Sequence, residues 1–393
     1  MSMIKTELPG PSVVEMEHSL KLIEHLKQIL TQNKGKMSFM QYIAEVLYAK
    51  GLGYYASGAH KLGAGGDFVT APMISPAFST CVARACAPVL QTLTNPYLLE
   101  IGAGTGVMAA DILLELQRQQ VLPERYYILE TSPDLKQRQQ QTIQDKLPTL
   151  QHLVHWIDTP LTEAFNGVIV ANELLDALPV FRFKKQANQI VELGVGMKNG
   201  RFVELPYSFD NIWLQNRVAQ IEKSVGEFPE GYCSEVNLTI KPWLEAVTSS
   251  LQAGACFFID YGYTQKVYYD SARIEGTLNC YYKHLMHSDP FVYPGLQDIT
   301  SHVDFSALAE SADALGLKVN GFATQNAWLL SLGLEAVANS LIKNGEDVQK
   351  TQQAVRQLIS PACMGESFHV MALSRNIKAS VLDFGGSDRR YLL

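Results

Sequence analysis

The stretch Leu98 to Gly106, LLEIGAGTG, limits what this chain can fold into more than any other. An apolar strand pattern runs into Gly102, Gly104 and Gly106, after which Ala109, Ile112, Leu113 and Leu116 recur at the i, i+3, i+4, i+7 spacing of an amphipathic helix. Strand, glycine turn and helix form a unit whose backbone can approach a ligand at the helix N-terminus. Further strands are predicted in YYILE (126–130), HLVHWI (152–157), GVIVANE (167–173), ACFFIDYG (255–262), LKVNGFA (317–323) and SFHVMALSR (367–375). Helical or loop-like sequence separates the earlier ones, which argues for parallel strands joined by crossovers. The expected fold is α/β: a Rossmann-like, mostly parallel seven-stranded sheet.

Composition narrows the function classes. Of 393 residues, 47% are apolar and 18% charged, which excludes a disordered or coiled-coil chain. A net charge of −7 leaves no global basic field for nucleic acid or an anionic membrane. Six scattered cysteines without a C-x-x-C pair read as reduced thiols, and no metal site is expected. The N-terminus lacks an apolar segment after a basic end, and no later run reaches the roughly 18 apolar residues of a membrane span. A cytoplasmic location is the expectation.

The chain opens with two helical signals. EHSLKLIEHLKQIL places Leu20, Ile23, Leu26 and Leu30 near one stripe with Ile29 beside it, and Ser38 followed by Gln41 starts a second helix that Gly51 ends. Gly53, Gly58, Gly63, Gly65 and Gly66 then make a shaped loop. Residues 1–75 therefore read as a helical cap and glycine-rich lid, and residues 76–375 as the core. Insertions near 181–250 and 262–312 would build a substrate cleft, and residues 376–393 a loosely held polar tail. Asn199-Gly200, between RFVEL and QIVELGVGMK, is a strong hairpin signal.

The glycine turn also discriminates among ligands. A dinucleotide motif would need glycine or alanine where Val107 stands, whereas an acid, Glu100, two residues before G-x-G-x-G is the usual opening of an S-adenosylmethionine pocket. Such a pocket holds a cationic sulfonium, an amino-acid moiety and a ribose, which suits an acid before glycine; the plainer alternative is a close-packed turn. Glu130, ending the second strand, is placed to accept ribose hydroxyls. Asp158 after the third strand would meet the adenine amino group, or simply cap a helix N-terminus. Asn172, Glu173 and Asp176 fall at the carboxyl edge of the fourth strand. Asn172 is assigned to the cofactor and the two carboxylates to an amine or guanidinium acceptor, the alternative being turn capping. His284 and His287 have a spacing that could place two metal ligands on one helix face, though no cysteine or third histidine accompanies them; the alternative is a pair of structural histidines. The tyrosine pairs 54–55, 268–269 and 281–282 read as packing.

From Tyr54 to Arg375 the sequence resembles the MidA family of bacterial and mitochondrial methyltransferases, related to a complex I assembly factor. The matching blocks are GDFVTAPMIS, LLEIGAGTG, LETSPDL, NELLDALPV, the Ser234-Glu235 and Asn237 cluster, IDYGY, PGLQDITSHVDF and MGESFHVMALSR. The resemblance implies a class I methyltransferase fold and S-adenosyl-L-methionine as methyl donor. For mitochondrial members it implies symmetric dimethylation of a protein arginine, with a respiratory complex I subunit as a candidate partner. Residue by residue, it implies that Glu100, Gly102, Gly104, Gly106 and Glu130 hold the cofactor, that Gly66, Asp67 and Thr70 close over it, and that Glu173 and Asp176 face substrate. Glu235 is the expected partner carboxylate from the insertion. The family match also implies that His284 and His287 line a cleft with Asp298. Met73 stands where the family commonly has glutamate, which removes one acid from that loop. A small-molecule N- or O-methyltransferase and a non-catalytic assembly factor are the competing expectations.

Overall fold

The computed structural model describes residues 8–57, 69–208, 210–382 and 384–393. They form two compact units, each drawn from separate stretches of the chain. The larger comprises Thr70–Asp176, Thr239–Tyr268 and His302–Leu393. Its sheet contains β1 (Tyr97–Ile101), β2 (Arg125–Leu129), β3 (Val154–Ile157), β4 (Phe165–Asn172), β5 (Leu251–Tyr263), β6 (Lys318–Thr324) and β7 (Phe368–Arg375). The spatial order is β6-β7-β5-β4-β1-β2-β3. From β5 to β3 all neighbours are parallel, while β7 runs antiparallel to both β5 and β6.

A two-residue strand, Val303–Asp304, pairs with β5, so the sheet is eight-stranded and mixed rather than seven-stranded. A segment that short carries no period for the sequence to show. β1 and β4 are central: Leu98, Leu99, Val168, Ile169 and Val170 are all fully buried, the pattern of a parallel strand covered on both faces. Helices Pro76–Gln91 and Val107–Arg118 bury Phe78, Val82, Ile112 and Leu113 in the same core.

Residues 376–393 are not a loose tail. Leu382 and Phe384 are buried, Phe384 packs where Gly321 leaves room for its ring, and Arg389 N–H donates to Phe322 O at 2.6 Å. The apolar anchors are few, but they fall beside the outer edge of β6, whose backbone groups the segment satisfies.

The smaller unit comprises Met1–Val69, Ala177–Leu238 and Tyr269–Ser301. Thus the opening helices share a unit with sequence from both expected insertions. Helix Val13–Gln32 buries Ser19, Leu22, Leu26 and Leu30, whereas Leu20 is 54% exposed. The expected stripe was therefore rotated: Ser19 carries the inward position because its hydroxyl donates to Pro294 O. Ser38 caps helix Phe39–Tyr48 by accepting from Gln41 N–H. A five-stranded antiparallel sheet follows from Phe181–Gln186, Gln189–Lys198, Arg201–Ser208, Cys233–Val236 and Lys36–Ser38. Asn199 (φ +51°) and Gly200 (φ +76°) form the expected hairpin turn. No helix among the described residues is long and apolar enough to cross a membrane.

Candidate cofactor and acceptor site

β1 carries Glu100 into the core, where it is fully buried. One oxygen accepts from the Tyr126 hydroxyl of β2 at 2.6 Å, and Oε1 has no hydrogen-bond partner among the described residues. Burial lifts the Glu100 carboxyl to about 7, with Tyr126 opposing the rise and the charge of Glu130 adding to it.

Beyond β1 the chain turns through Gly102 (φ +70°), Gly104 and Gly106 (φ +81°). A Cβ on Gly102 would lie 2.6 Å from Leu174 Cδ1, and one on Gly106 would lie 3.0 Å from the Gln139 backbone. The first contact is a movable side-chain end; the second is main chain, so Gly106 is the less replaceable. Gly106 also opens helix Val107–Arg118 with no side-chain cap, leaving its first N–H groups for solvent or ligand.

Glu130, 8% exposed at the end of β2, accepts from Ser132 N–H at 2.8 Å and from Gln139 Nε2 at 2.9 Å. Gln139 is the joint of this region. Its amide also donates to Gly104 O at 3.1 Å, and its oxygen accepts from Trp156 Nε1 at 3.0 Å. Thr142, one turn further along the same helix, donates to Thr105 O at 2.7 Å. Sequence reading missed Gln139 and Trp156. The available signal was helix Pro133–Lys146 itself, too polar to dock by an apolar stripe and therefore held by hydrogen bonds.

At the end of β4, Asn172 is buried, donates to Glu173 Oε1 at 3.0 Å, and leaves its own Oδ1 without a partner among the described residues. Glu173 takes a left-handed φ of +50°, a conformation that bulky residues keep only where neighbours enforce it. Its Oε1 also accepts from Ala71 N–H at 3.1 Å. Burial raises its carboxyl to about 7, against the Ala71 hydrogen bond and with the charge of Asp176 adding to the rise. Asp176 is buried in the short turn Leu175–Ala177.

The other expected residues separate. Thr70 caps the turn Ala71–Ile74 without a side-chain hydrogen bond, while Gly66 and Asp67 lie outside the described residues. Asp158 is exposed beyond β3. Glu235 belongs to the smaller unit and is fully buried. It accepts from Thr277 N–H at 2.8 Å and pairs with Arg182 Nε at 3.4 Å, and a Cβ on Gly276 would lie 2.4 Å from its Oε2. Sealed in this way, Glu235 has the environment of a structural ion pair, so its expected catalytic part is withdrawn. His284 has φ +62° in the turn between Asn279–Tyr282 and Leu285–His287, so the two histidines lie within a hairpin, one in its turn and one in its second strand, and not on a helix face. Tyr54, Tyr268, Tyr269 and Tyr282 are buried packing residues.

S-adenosylmethionine fits this set of groups: two buried acceptor oxygens, on Glu100 and Asn172, have no partner among the described residues, and an uncapped helix start adjoins a glycine-rich turn. Fold and site together define an S-adenosylmethionine-dependent methyltransferase. Residues 81–323 match the family described as "Putative S-adenosyl-L-methionine-dependent methyltransferase", and the chain belongs to that family.

Among solved structures, a Burkholderia thailandensis protein bound to S-adenosyl-homocysteine is 38% identical, superposes with a TM-score of 0.93, and is matched over 98% of this chain and 100% of its own. The mitochondrial protein arginine methyltransferase NDUFAF7 of Rattus norvegicus is 27% identical over 96% of this chain and 89% of its own length. Its Homo sapiens counterpart is 25% identical over 90% and 83%. Because these relatives are mitochondrial, the expectation of a cytoplasmic protein is withdrawn.

Proposed function

We propose that this methyltransferase modifies an arginine side chain of a protein. The observation that carries the reading is the carboxylate cluster at the end of β4. There Glu173 is held in a left-handed conformation beside Asp176, and the next residue, Leu174, packs on Gly102 of the glycine turn. A guanidinium stays cationic above pH 12, so holding it flat and desolvated calls for carboxylate acceptors. The names of the rat and human relatives support the same acceptor class.

In this reading Glu100, Asn172, Glu130 and the glycine turn hold the cofactor, with Asp158 toward its adenine and Thr70 near its entrance. The strand order, with β7 reversed, supports the class I methyltransferase frame. Bound S-adenosylmethionine supplies a methyl group on a sulfonium centre. Glu173 accepts an N–H of the guanidinium and offsets its charge. The alkylated nitrogen carries one proton too many, and a carboxyl raised to about 7 is suited to take it near neutral pH.

Lysate from a strain lacking the protein, incubated with the enzyme and methyl-labelled S-adenosylmethionine, tests this. Label recovered in methylarginine after hydrolysis of the protein fraction is expected. Label confined to small molecules would refute the arginine acceptor and leave the methyltransferase class standing.

A further inference from the structure

One buried carboxylate near this cluster has no part in the chemistry above. Asp260, on β5, is 1% exposed. Its Oδ2 accepts from the backbone N–H groups of Leu174 at 3.0 Å, Leu175 at 2.8 Å and Asp176 at 3.2 Å, and its Oδ1 from Tyr261 N–H at 2.9 Å. The preceding residue, Ile259, accepts from Glu173 N–H at 2.9 Å. Two successive residues of β5 thus hold the amides of Glu173, Leu174, Leu175 and Asp176. Three consecutive N–H groups converging on one oxygen make a nest of the kind that binds anions, and here it is filled by a carboxyl group of the chain itself.

The turn gripped in this way has a second fixed contact. Leu174 Cδ1 fills the space beside Gly102, so the acceptor turn rests directly on the glycine turn. Glu173, at the head of the grip, is the residue with the left-handed φ, and a strained residue persists only where its surroundings enforce it.

We infer that Asp260 is a positioning residue for methyl transfer, clamping the Glu173–Asp176 turn so that its two carboxylates stand in fixed relation to the glycine turn. This rests on the reading that Glu173 and Asp176 receive the acceptor. Asparagine is a poor replacement: it has one carbonyl oxygen for four donors, and its NH2 would face either Tyr261 N–H or the nest.

Wild type, Asp260→Asn, Asp260→Glu and Glu173→Gln are to be compared in three measurements: amide hydrogen exchange, calorimetric titration with S-adenosyl-homocysteine, and methyl transfer from labelled S-adenosylmethionine to the protein fraction of the deletion-strain lysate. In wild type, the Leu174, Leu175 and Asp176 amides exchange slowly although they lie outside the strands. In Asp260→Asn they exchange faster, transfer falls by about 30-fold or more, and S-adenosyl-homocysteine affinity stays within about two-fold, since misplacing reacting groups costs rate and not cofactor binding. Fast exchange of these amides in wild type, or wild-type transfer by Asp260→Asn, would overturn the clamp. If Asp260→Asn does not fold, Asp260→Glu keeps the carboxyl group one methylene further out. It is expected to lose transfer while keeping S-adenosyl-homocysteine binding, and wild-type transfer with unprotected turn amides would overturn the clamp again. Slow Asp260→Asn beside wild-type Glu173→Gln would strike down the acceptor role of Glu173 and still support the clamp.

Discussion

Glu100 and Glu173 are both carboxyls raised by burial to about 7, from an ordinary value of 4.5, and this has a consequence for stability. Between those two values the folded chain holds protons that the unfolded chain has released, so stability falls as pH rises through the window. Glu100→Gln removes one such group. The stability of wild type relative to this variant should therefore decline by roughly 1 to 3 kcal/mol between about pH 4.5 and pH 7.5, measured by urea unfolding. A pH-independent difference would show that Glu100 is not raised. His369, lowered by burial to about 4, acts in the opposite sense in an overlapping range, so only the difference between the two proteins is diagnostic. Glu100, Glu130 and Glu173 stood out in the sequence as candidates because each lies at or near the end of a strand, beside a glycine or turn signal. Gln139 and Asp260 were not, because a buried glutamine and a buried aspartate declare their role only through partners distant in the chain.

Turns and edges are the features that elements expose to test. The hairpin at Asn199-Gly200 was readable because those residues accept positive φ at little cost. The neighbouring turn was not: Ala187 (φ +49°) and Asn188 (φ +61°) join Phe181–Gln186 to Gln189–Lys198, and alanine gives no such signal. Ala187→Asn should stabilise the protein by roughly 0.5 to 1 kcal/mol, seen as a higher urea midpoint, because asparagine tolerates the left-handed region better. A lower midpoint would mean that the hairpin does not keep this turn. At the sheet's edge, Phe384 is 4% exposed against Gly321. Phe384→Ala should cost roughly 3 to 5 kcal/mol, the usual loss for a buried phenylalanine. A cost below about 1 kcal/mol, as for surface positions, would return residues 376–393 to the status of a loose tail.

The whole molecule is built from two units, each assembled from separate stretches of the chain. The larger unit is built on a sheet whose seven longer strands were recoverable from apolar runs and one glycine turn, whereas their spatial order and the reversal of β7 were not. The smaller gathers helices and hairpins from three separate stretches, and no local period announces which of them belong together. Glu100, Glu130, Asn172, Glu173 and Asp260 all fall in the larger unit, so the residues proposed for cofactor and acceptor belong to one sheet and its connections. S-adenosyl-homocysteine at 100 times its dissociation constant should add about 2.7 kcal/mol to the stability of the folded protein, visible as a rise in Tm, whereas NAD should add nothing. In the proposed function the Glu173 carboxylate serves the acceptor and not the cofactor. It is tested most directly by single-turnover methyl transfer to the lysate protein fraction with Glu173→Gln, alongside titration with S-adenosyl-homocysteine. An unchanged dissociation constant and a transfer rate lower by about 100-fold or more are expected, since an interaction made with the reacting acceptor is lost. Wild-type transfer by the folded variant would contradict it.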